Sequence, residues 1–241
     1  RYRVMDEADI AQMIEWYASA AVRAQKAGFD AVEVHCAHNY LIAGFLSPYF
    51  NQRTDGYGGS YENRTRLMRE LLTEVRRRVG PDYPIWVRLD AEEMHTPGGI
   101  TLEEALQTAR LCEQLGVNAI SVSSYARLTR GSDFTDAPIP QKSGAYLEFA
   151  NAFKRVVRIP IIVAGRIEPE VGAAAIAAGE ADFIAMGRKL LADPELPNKL
   201  LAGQPEAIRP CIYCYACVSE IFVNRGIKCA VNAQTGHEST A

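Results

Sequence analysis

No run of eighteen or more apolar residues occurs in the chain, so the sequence offers no segment that would cross a bilayer as a single helix. It also lacks an excess of either charge: 26 Lys and Arg stand against 29 Asp and Glu, interspersed, for a formal net charge of -3. There is thus no basic stripe of the kind that binds nucleic acid and no polybasic run that would seek an acidic membrane. The opening residues, RYRVMDEADI, are polar, and a soluble, cytoplasmic protein is expected. No strand-like run leads into a G-x-G-x-x-G turn, which removes the usual signature of a dinucleotide-binding sheet. Histidine is scarce, at 4 residues, and cysteine numbers only 6. The places where these two residues concentrate are therefore informative.

What is present is core material. Apolar residues make up 48% of 241 positions, enough for a sizeable core without disulfide staples. Three segments share one pattern, a helical stretch that ends at Gly and is followed by Asp or Asn and a short apolar run: AGFDAVEVH at 27–35, LGVNAISVS at 115–123 and AGEADFIAMG at 178–187. Gly closes a helix in the left-handed conformation, and an apolar run rich in Val, Ile and Ala suits a strand buried on both faces. PIWVRLD at 84–90 and IPIIVAG at 159–165 are further strand-like runs. Helices are predicted at about 6–27, 61–79, 101–115, 145–157 and 169–178.

Alternating strands and helices imply an α/β fold, either an open doubly wound sheet or a (β/α)8 TIM barrel. Polar residues expected just past the strands' C-terminal ends, namely His35, Arg88, Ser123, Arg166 and Arg188, favour the barrel. Five strands do not close an eight-stranded barrel, and the chain starts at Arg1 without a Met. About three βα units are therefore expected to be missing from the N-terminus of a longer polypeptide, with more following the C-terminus.

The first candidate site is HCAHNYLIAGFLSPYFNQRTDGYGGSYENR, residues 35–64. His-x-x-His-x-Tyr at a strand end places two imidazoles and a phenol in one loop, where they can donate to a developing oxyanion and supply a proton. A pair of structural histidines is the plainer reading of H-x-x-H alone. The rest of the loop resembles the Old Yellow Enzyme family of FMN-dependent oxidoreductases, through Asn51, Arg53, Asp55, Tyr57, Gly58, Gly59, Ser60, Asn63 and Arg64, with AGFDAVEVH and FLSP upstream.

The resemblance implies a (β/α)8 barrel with FMN at the strands' C-terminal ends. His35 and His38 fall where the family binds a substrate carbonyl or phenolate oxygen, and Tyr40 where it places a proton-donating Tyr; position 39 is Asn, where members more often carry Gly or another small residue. Arg88 corresponds to the family's flavin-facing Arg, a cation suited to N1 and O2 of the reduced ring. VAGRI and AMGRK each offer Gly followed by Arg, and Gly165, Arg166, Gly187 and Arg188 are assigned to the FMN phosphate and its surroundings. Cys36 and Cys112 read as small core residues, although Cys36 adjoins the histidines. Glu92 and Glu93 read as a solvated loop, Tyr125 and Arg127 as lining the substrate pocket, and His95 and His237 are assigned nothing.

The remaining four cysteines, Cys211, Cys214, Cys217 and Cys229, are spaced C-x2-C-x2-C-x11-C. Zinc sites usually pair two ligands with two across a spacer, so a tight trio and one distant cysteine favour a 4Fe-4S cluster over zinc. A subset of the family, including 2,4-dienoyl-CoA reductase and trimethylamine dehydrogenase, follows its barrel with such a cluster and then with a region that binds FAD or ADP and a dinucleotide. The resemblance therefore implies a partial FMN barrel over 1–203 and an iron-sulfur segment over 204–241, with NAD(P)H, and in some members FAD, bound by a missing C-terminal region.

Two activities follow from the resemblance. In one, electrons from NAD(P)H reach FMN through the cluster and leave as a hydride to an activated alkene of a small-molecule substrate. In the other, an amine reduces FMN and electrons leave through the cluster. A non-catalytic fragment or a metal-binding module is the rival from another class. The full-length form is expected to be a homo-oligomer.

Overall fold

The computed structural model describes residues 3–126 and 142–239. Two compact units divide the chain, Arg1–Ile184 and Ala185–Ala241, and each is described by itself.

The first unit opens with α1, Glu7–Lys26, started by a capping box in which Asp6 accepts from the Asp9 N–H and Asp9 accepts from the Asp6 N–H. Acidic residues in its first turn and Arg23 and Lys26 in its last complement the helix dipole. Then follow β1 (Val32–Cys36), α2 (Leu41–Leu46), α3 (Tyr61–Val79), β2 (Ile85–Met94), α4 (Leu102–Gln114), β3 (Ala119–Ala126), α5 (Leu147–Lys154), β4 (Ile161–Val163), α6 (Pro169–Ala177) and β5 (Phe183–Ile184). Side-chain caps from Ser60 and Thr101 start α3 and α4. The Gly residues of the three repeated corners, Gly28, Gly116 and Gly179, all take positive φ, as a helix-closing residue requires. The sequence did not disclose α2, a short apolar helix inside the first candidate loop.

All five strands are parallel and lie in the order β1-β2-β3-β4-β5. A sheet that winds in one direction without a reversal is TIM-barrel-like; a doubly wound sheet would change direction and carry helices on both faces. Val34, Cys36, Val87, Leu89, Ile120, Val122, Ile161 and Val163 share one core with Met68, Leu71, Leu72 and Val75 of α3, Ala109 and Cys112 of α4, and Phe153 of α5. Each fully buried Leu, Ile or Phe there contributes about 1.5–3 kcal/mol. Alternation sends Glu33, His35, Trp86, Arg88 and Ser121 to the other face.

Two expectations need correction. His35, Arg88 and Ser123 do not lie past strand ends, because β1 ends at Cys36, β2 runs on to Met94 and β3 to Ala126. Glu92 and Glu93 are not in a solvated loop: both lie within β2, after a register shift between Asp90 and Glu93, Glu92 half-buried and Glu93 buried.

The second unit contains α7 (Arg188–Ala192), α8 (Leu196–Leu201), a 3-10 turn (Pro205–Ala207) and α9 (Ala216–Phe222). The buried Asp193 carboxylate ties it together, accepting from Lys199 Nζ at 2.6 Å and the Arg209 N–H at 2.7 Å. Asn232 and Thr235 donate to the Leu191 carbonyl at 2.9 and 2.8 Å, and Lys228 pairs with Glu220 at 2.5 Å, so the segment around Cys229 is held onto α7 and α9. Among the described residues, no helix is long and apolar enough to cross a membrane.

Candidate active site

His35 is the penultimate residue of β1, and the parallel register sets it directly beside Arg88 of β2 and Arg88 beside Ser121 of β3. These three share the face turned away from the helices. Arg88 Nε lies 3.3 Å from Ser121 Oγ and 3.6 Å from Glu33 Oε1. After β1 the chain turns through two consecutive left-handed residues, His38 (φ 61) and Asn39 (φ 54). Asn tolerates that region far better than most side chains, which accounts for its presence where a small residue is usual. The turn folds the loop back, so that the His38 ring lies 5.0 Å from the His35 ring and the Tyr40 ring 5.3 Å from it. Tyr40 is exposed and serves as the N-cap residue of α2. The structure thus brings His35, His38, Tyr40 and Arg88 together.

Two further residues complete the site: Asp90, which escaped the sequence reading, and Ser123, which it placed only at a strand end. Asp90 accepts the His38 backbone N–H at 2.5 Å, and His38 Nε2 lies 2.6 Å from Ser123 Oγ. Asp90 and Ser123 are register partners, two residues beyond Arg88 and Ser121, on the same face. That i, i+2 spacing in WVRLD was the signal available. Glu93 Oε2 accepts from Ser47 Oγ at 2.7 Å and the Ile100 N–H at 2.9 Å, which fixes the FLSP segment against β2.

The site is electrostatically neutral where it is most buried. Burial, then the proximity of His35 and Arg88, lowers His38 to about 3. His35 is lowered by burial and Arg88, against an opposing pull from Glu33. Burial raises Asp90 to about 8, with Glu93 adding to the rise and the His38 N–H and Arg88 opposing it. Glu93 is likewise raised by burial. Near neutral pH both imidazoles are therefore uncharged donors and acceptors, and Asp90 retains much of its proton. Cys36 and Cys112 are fully buried thiols pushed up by burial, inert core residues as expected.

The signature loop after α2 is chiefly architectural. Asn51 donates to the carbonyls of Phe45 and Tyr57, both at 2.7 Å; Arg53 pairs with Asp55 and donates to the Met5 carbonyl; and Tyr57 donates to Glu70. Arg64 reaches the carbonyls of Leu46 and Gly59 and the Glu104 carboxylate. These bonds lock the connection from α2 to α3 and so fix the loop that carries His38 and Tyr40.

Gly165 and Arg166 follow β4. A Cβ on Gly165 would lie 2.8 Å from the Tyr146 ring, so only Gly lets the chain pass, and the Arg166 carbonyl accepts from Ser143 Oγ and the Gly144 N–H. Tyr125 lies in β3, its ring 6.2 Å from that of Phe50, and Arg127 lies outside the described residues.

In the second unit, Gly187 precedes α7 and Arg188 begins it. Arg188 shares a cavity with Cys211, Cys214, Cys217 and Cys229, all four of them free thiols. Among the described residues, no three His, Cys, Asp or Glu converge where a single metal ion could sit.

Residues 1–207 match the NADH:flavin oxidoreductase / NADH oxidase family. The chain is 43% identical to a metal reductase of Desulforamulus reducens over 98% of its own length and 35% of that protein's. It is 35% identical to a cinnamate reductase of Clostridium sporogenes over 98% of its own length and 38% of the relative's. Among solved structures, a 2-naphthoyl-CoA reductase complex superposes with a TM-score of 0.94 at 34% identity, covering 99% of this chain and 36% of that one. Histamine dehydrogenase from Rhizobium sp. 4-9 superposes with a TM-score of 0.87 at 30% identity, covering 98% and 34%. The chain thus spans little more than a third of the length of these relatives. Its parallel sheet, its signature loop and these similarities agree: the chain belongs to the NADH:flavin oxidoreductase / NADH oxidase family, the Old Yellow Enzyme family that its loop resembles.

Proposed function

We propose that the chain is the FMN- and 4Fe-4S-binding portion of an NAD(P)H-dependent reductase of activated C=C bonds, in α,β-unsaturated carbonyl or dienoyl compounds. The convergence of His35, His38 and Tyr40 beside Arg88 carries this reading. Two uncharged imidazoles can each donate an N–H to a carbonyl oxygen and stabilise the enolate that develops when the conjugated alkene is reduced. Tyr40, on the exposed rim of the same loop, delivers its Oη proton to the α-carbon. The cinnamate reductase and 2-naphthoyl-CoA reductase relatives point the same way.

The residues present fit both cofactors. Arg88, half-buried on the open sheet face, suits the electron-rich edge of a reduced flavin. Arg166 of the first unit is assigned with Gly165 to the FMN phosphate and its surroundings, and Gly187 and Arg188, which the sequence assigned there too, lie in the second unit. Cys211, Cys214, Cys217 and Cys229 would hold the cluster. When bound, FMN supplies hydride transfer and the cluster single-electron transfer. NAD(P)H, with or without FAD, is assigned to the part of the relatives' length that this chain does not span.

Amine dehydrogenation is the second reading, supported by the similarity to histamine dehydrogenase. A cationic amine would gain little from two neutral N–H donors beside an arginine, and the alkene reading is preferred for that reason. The test is an absorption spectrum of the full-length protein followed by turnover. Flavin bands, an iron-sulfur shoulder and alkene-dependent oxidation of NAD(P)H are expected. A colourless or zinc-loaded protein would overturn the reading, and amine-dependent flavin bleaching without alkene reduction would replace it with the second.

A further inference from the structure

The cysteine loop contains two aromatic residues in an unfavourable backbone region. In Cys211-Ile212-Tyr213-Cys214-Tyr215-Ala216-Cys217, both Tyr213 (φ 53) and Tyr215 (φ 62) are left-handed, alternating with the thiols. A bulky residue with positive φ is an outlier that its surroundings must hold in place. Here the surroundings are cationic. The Arg188 guanidinium carbon lies 5.3 Å from the Tyr213 ring centre and 5.1 Å from that of Tyr215, and Lys189 Nζ, on a buried side chain, lies 5.4 Å from Tyr213. These are cation-π distances, and guanidinium stacks well on aromatic faces while its N–H groups remain directed along its own plane. Arg188, Tyr213, Tyr215 and the four cysteines line one cavity.

We propose that Arg188, held by Tyr213 and Tyr215, is a positioning residue that fixes a positive charge beside the four-cysteine site and thereby raises the reduction potential of the cluster it carries. The inference rests on the reading of that site as 4Fe-4S. Adding one electron to a cluster ligated by four thiolates makes an already anionic group more negative. A fixed cation sharing its partly buried cavity stabilises the reduced state more than the oxidised one. Arginine suits this role because it remains protonated throughout the accessible pH range. The tyrosines supply the geometry: their left-handed backbone turns the rings onto the guanidinium while the intervening thiols face the cavity.

The experiment is an EPR-monitored redox titration of the full-length protein, with iron quantified in every sample. Arg188→Met is expected to retain iron and the reduced-cluster signal but to shift the reduction equilibrium about tenfold toward the oxidised form, or about 59 mV lower for a one-electron couple. Arg188→Lys should recover part of the shift. Tyr213→Leu with Tyr215→Leu, which leaves the cation but removes its stacking partners, should move the potential in the same direction. An iron-loaded Arg188→Met protein with an unshifted potential overturns the proposal. Should that variant not assemble, an unshifted potential in the double tyrosine variant overturns it equally. Absence of iron from the unsubstituted protein is a different result, since it removes the cluster reading itself.

Discussion

Asp90 meets His38 at two points: its Oδ2 accepts the His38 backbone N–H at 2.5 Å, and its Oδ1 lies 3.8 Å from His38 Nε2. The first contact holds the left-handed turn that aims the imidazole. The second is not an ion pair near neutrality, because His38 is lowered to about 3 and Asp90 raised to about 8. Among the described residues, Asp90 Oδ1 is buried without a hydrogen-bond partner, as is Glu93 Oε1. Such orphaned oxygens favour the neutral acid and make the site sensitive to pH.

The sign of that sensitivity follows from linkage. The folded state keeps the Asp90 proton between its unfolded value, near 3.9, and about 8, so the contribution of Asp90 falls as pH rises through that window. His38 acts oppositely between about 3 and its unfolded value near 6.5, where the unfolded chain binds the extra proton and stability rises with pH. The two slopes offset one another from about pH 4 to 6.5, leaving the Asp90 loss uncovered from about 6.5 to 8. The difference in thermal midpoint between Asp90→Asn and the unsubstituted protein should therefore drift in favour of the variant across pH 6.5–8. A difference that is constant over that range would show Asp90 already ionised in the fold.

Tyr40→Phe separates proton delivery from flavin reduction. General acid catalysis contributes about 10²–10⁴-fold, so alkene reduction should slow within that range while NAD(P)H bleaches the flavin at the original rate. Rapid-mixing absorbance of the two half-reactions checks this. Equal slowing of both would mean that Tyr40 shapes the site rather than supplying the proton.

Much of the site was legible because strand alternation and a distinctive loop are local signals. VEVHC and WVRLD each read as strands, and their parallel register brings His35 beside Arg88. Asp90 was missed because its partner is a backbone N–H 52 residues away, in a turn whose left-handed geometry no pattern announces. Glu93 was misplaced because a glutamate pair before MHTPGG has the composition of a loop, while in the fold β2 continues past an irregularity and buries it against Ser47 and Ile100. The helix α2 was hidden by its shortness, since six apolar residues carry too little periodicity to separate helix from loop.

Gly58 tests the architectural role of the signature loop. A Cβ at that position would lie 2.1 Å from the Arg53 carbonyl oxygen and 2.6 Å from the Arg53 carbonyl carbon, backbone atoms that do not yield as a side chain would. Gly58→Ala should destabilise the protein by about 1–3 kcal/mol, the usual range for forced overpacking. Gly59→Ala, where no atom lies within 4 Å but φ is +79, should cost only the left-handed penalty of about 1–2 kcal/mol. Urea denaturation of the two variants ranks them, and a Gly58→Ala protein as stable as the unsubstituted one would remove the close approach as the reason for glycine.

Cys214 is the most exposed of the four clustered cysteines in burial class and lies between the two left-handed tyrosines. If the four thiols share one cluster, Cys214→Ser should strip most of the iron and the broad visible shoulder while leaving the flavin bands, because Arg88, assigned to the flavin ring, belongs to the other compact unit and Cys214 is not among the residues assigned to FMN. The corresponding substitution of Cys112, buried in the helix-sheet core, should leave iron unchanged and lower the unfolding midpoint instead. Iron content measured beside the flavin absorbance discriminates the two outcomes. Full iron retention in Cys214→Ser would take that residue out of the ligand set and with it the shared-cavity basis for the cluster.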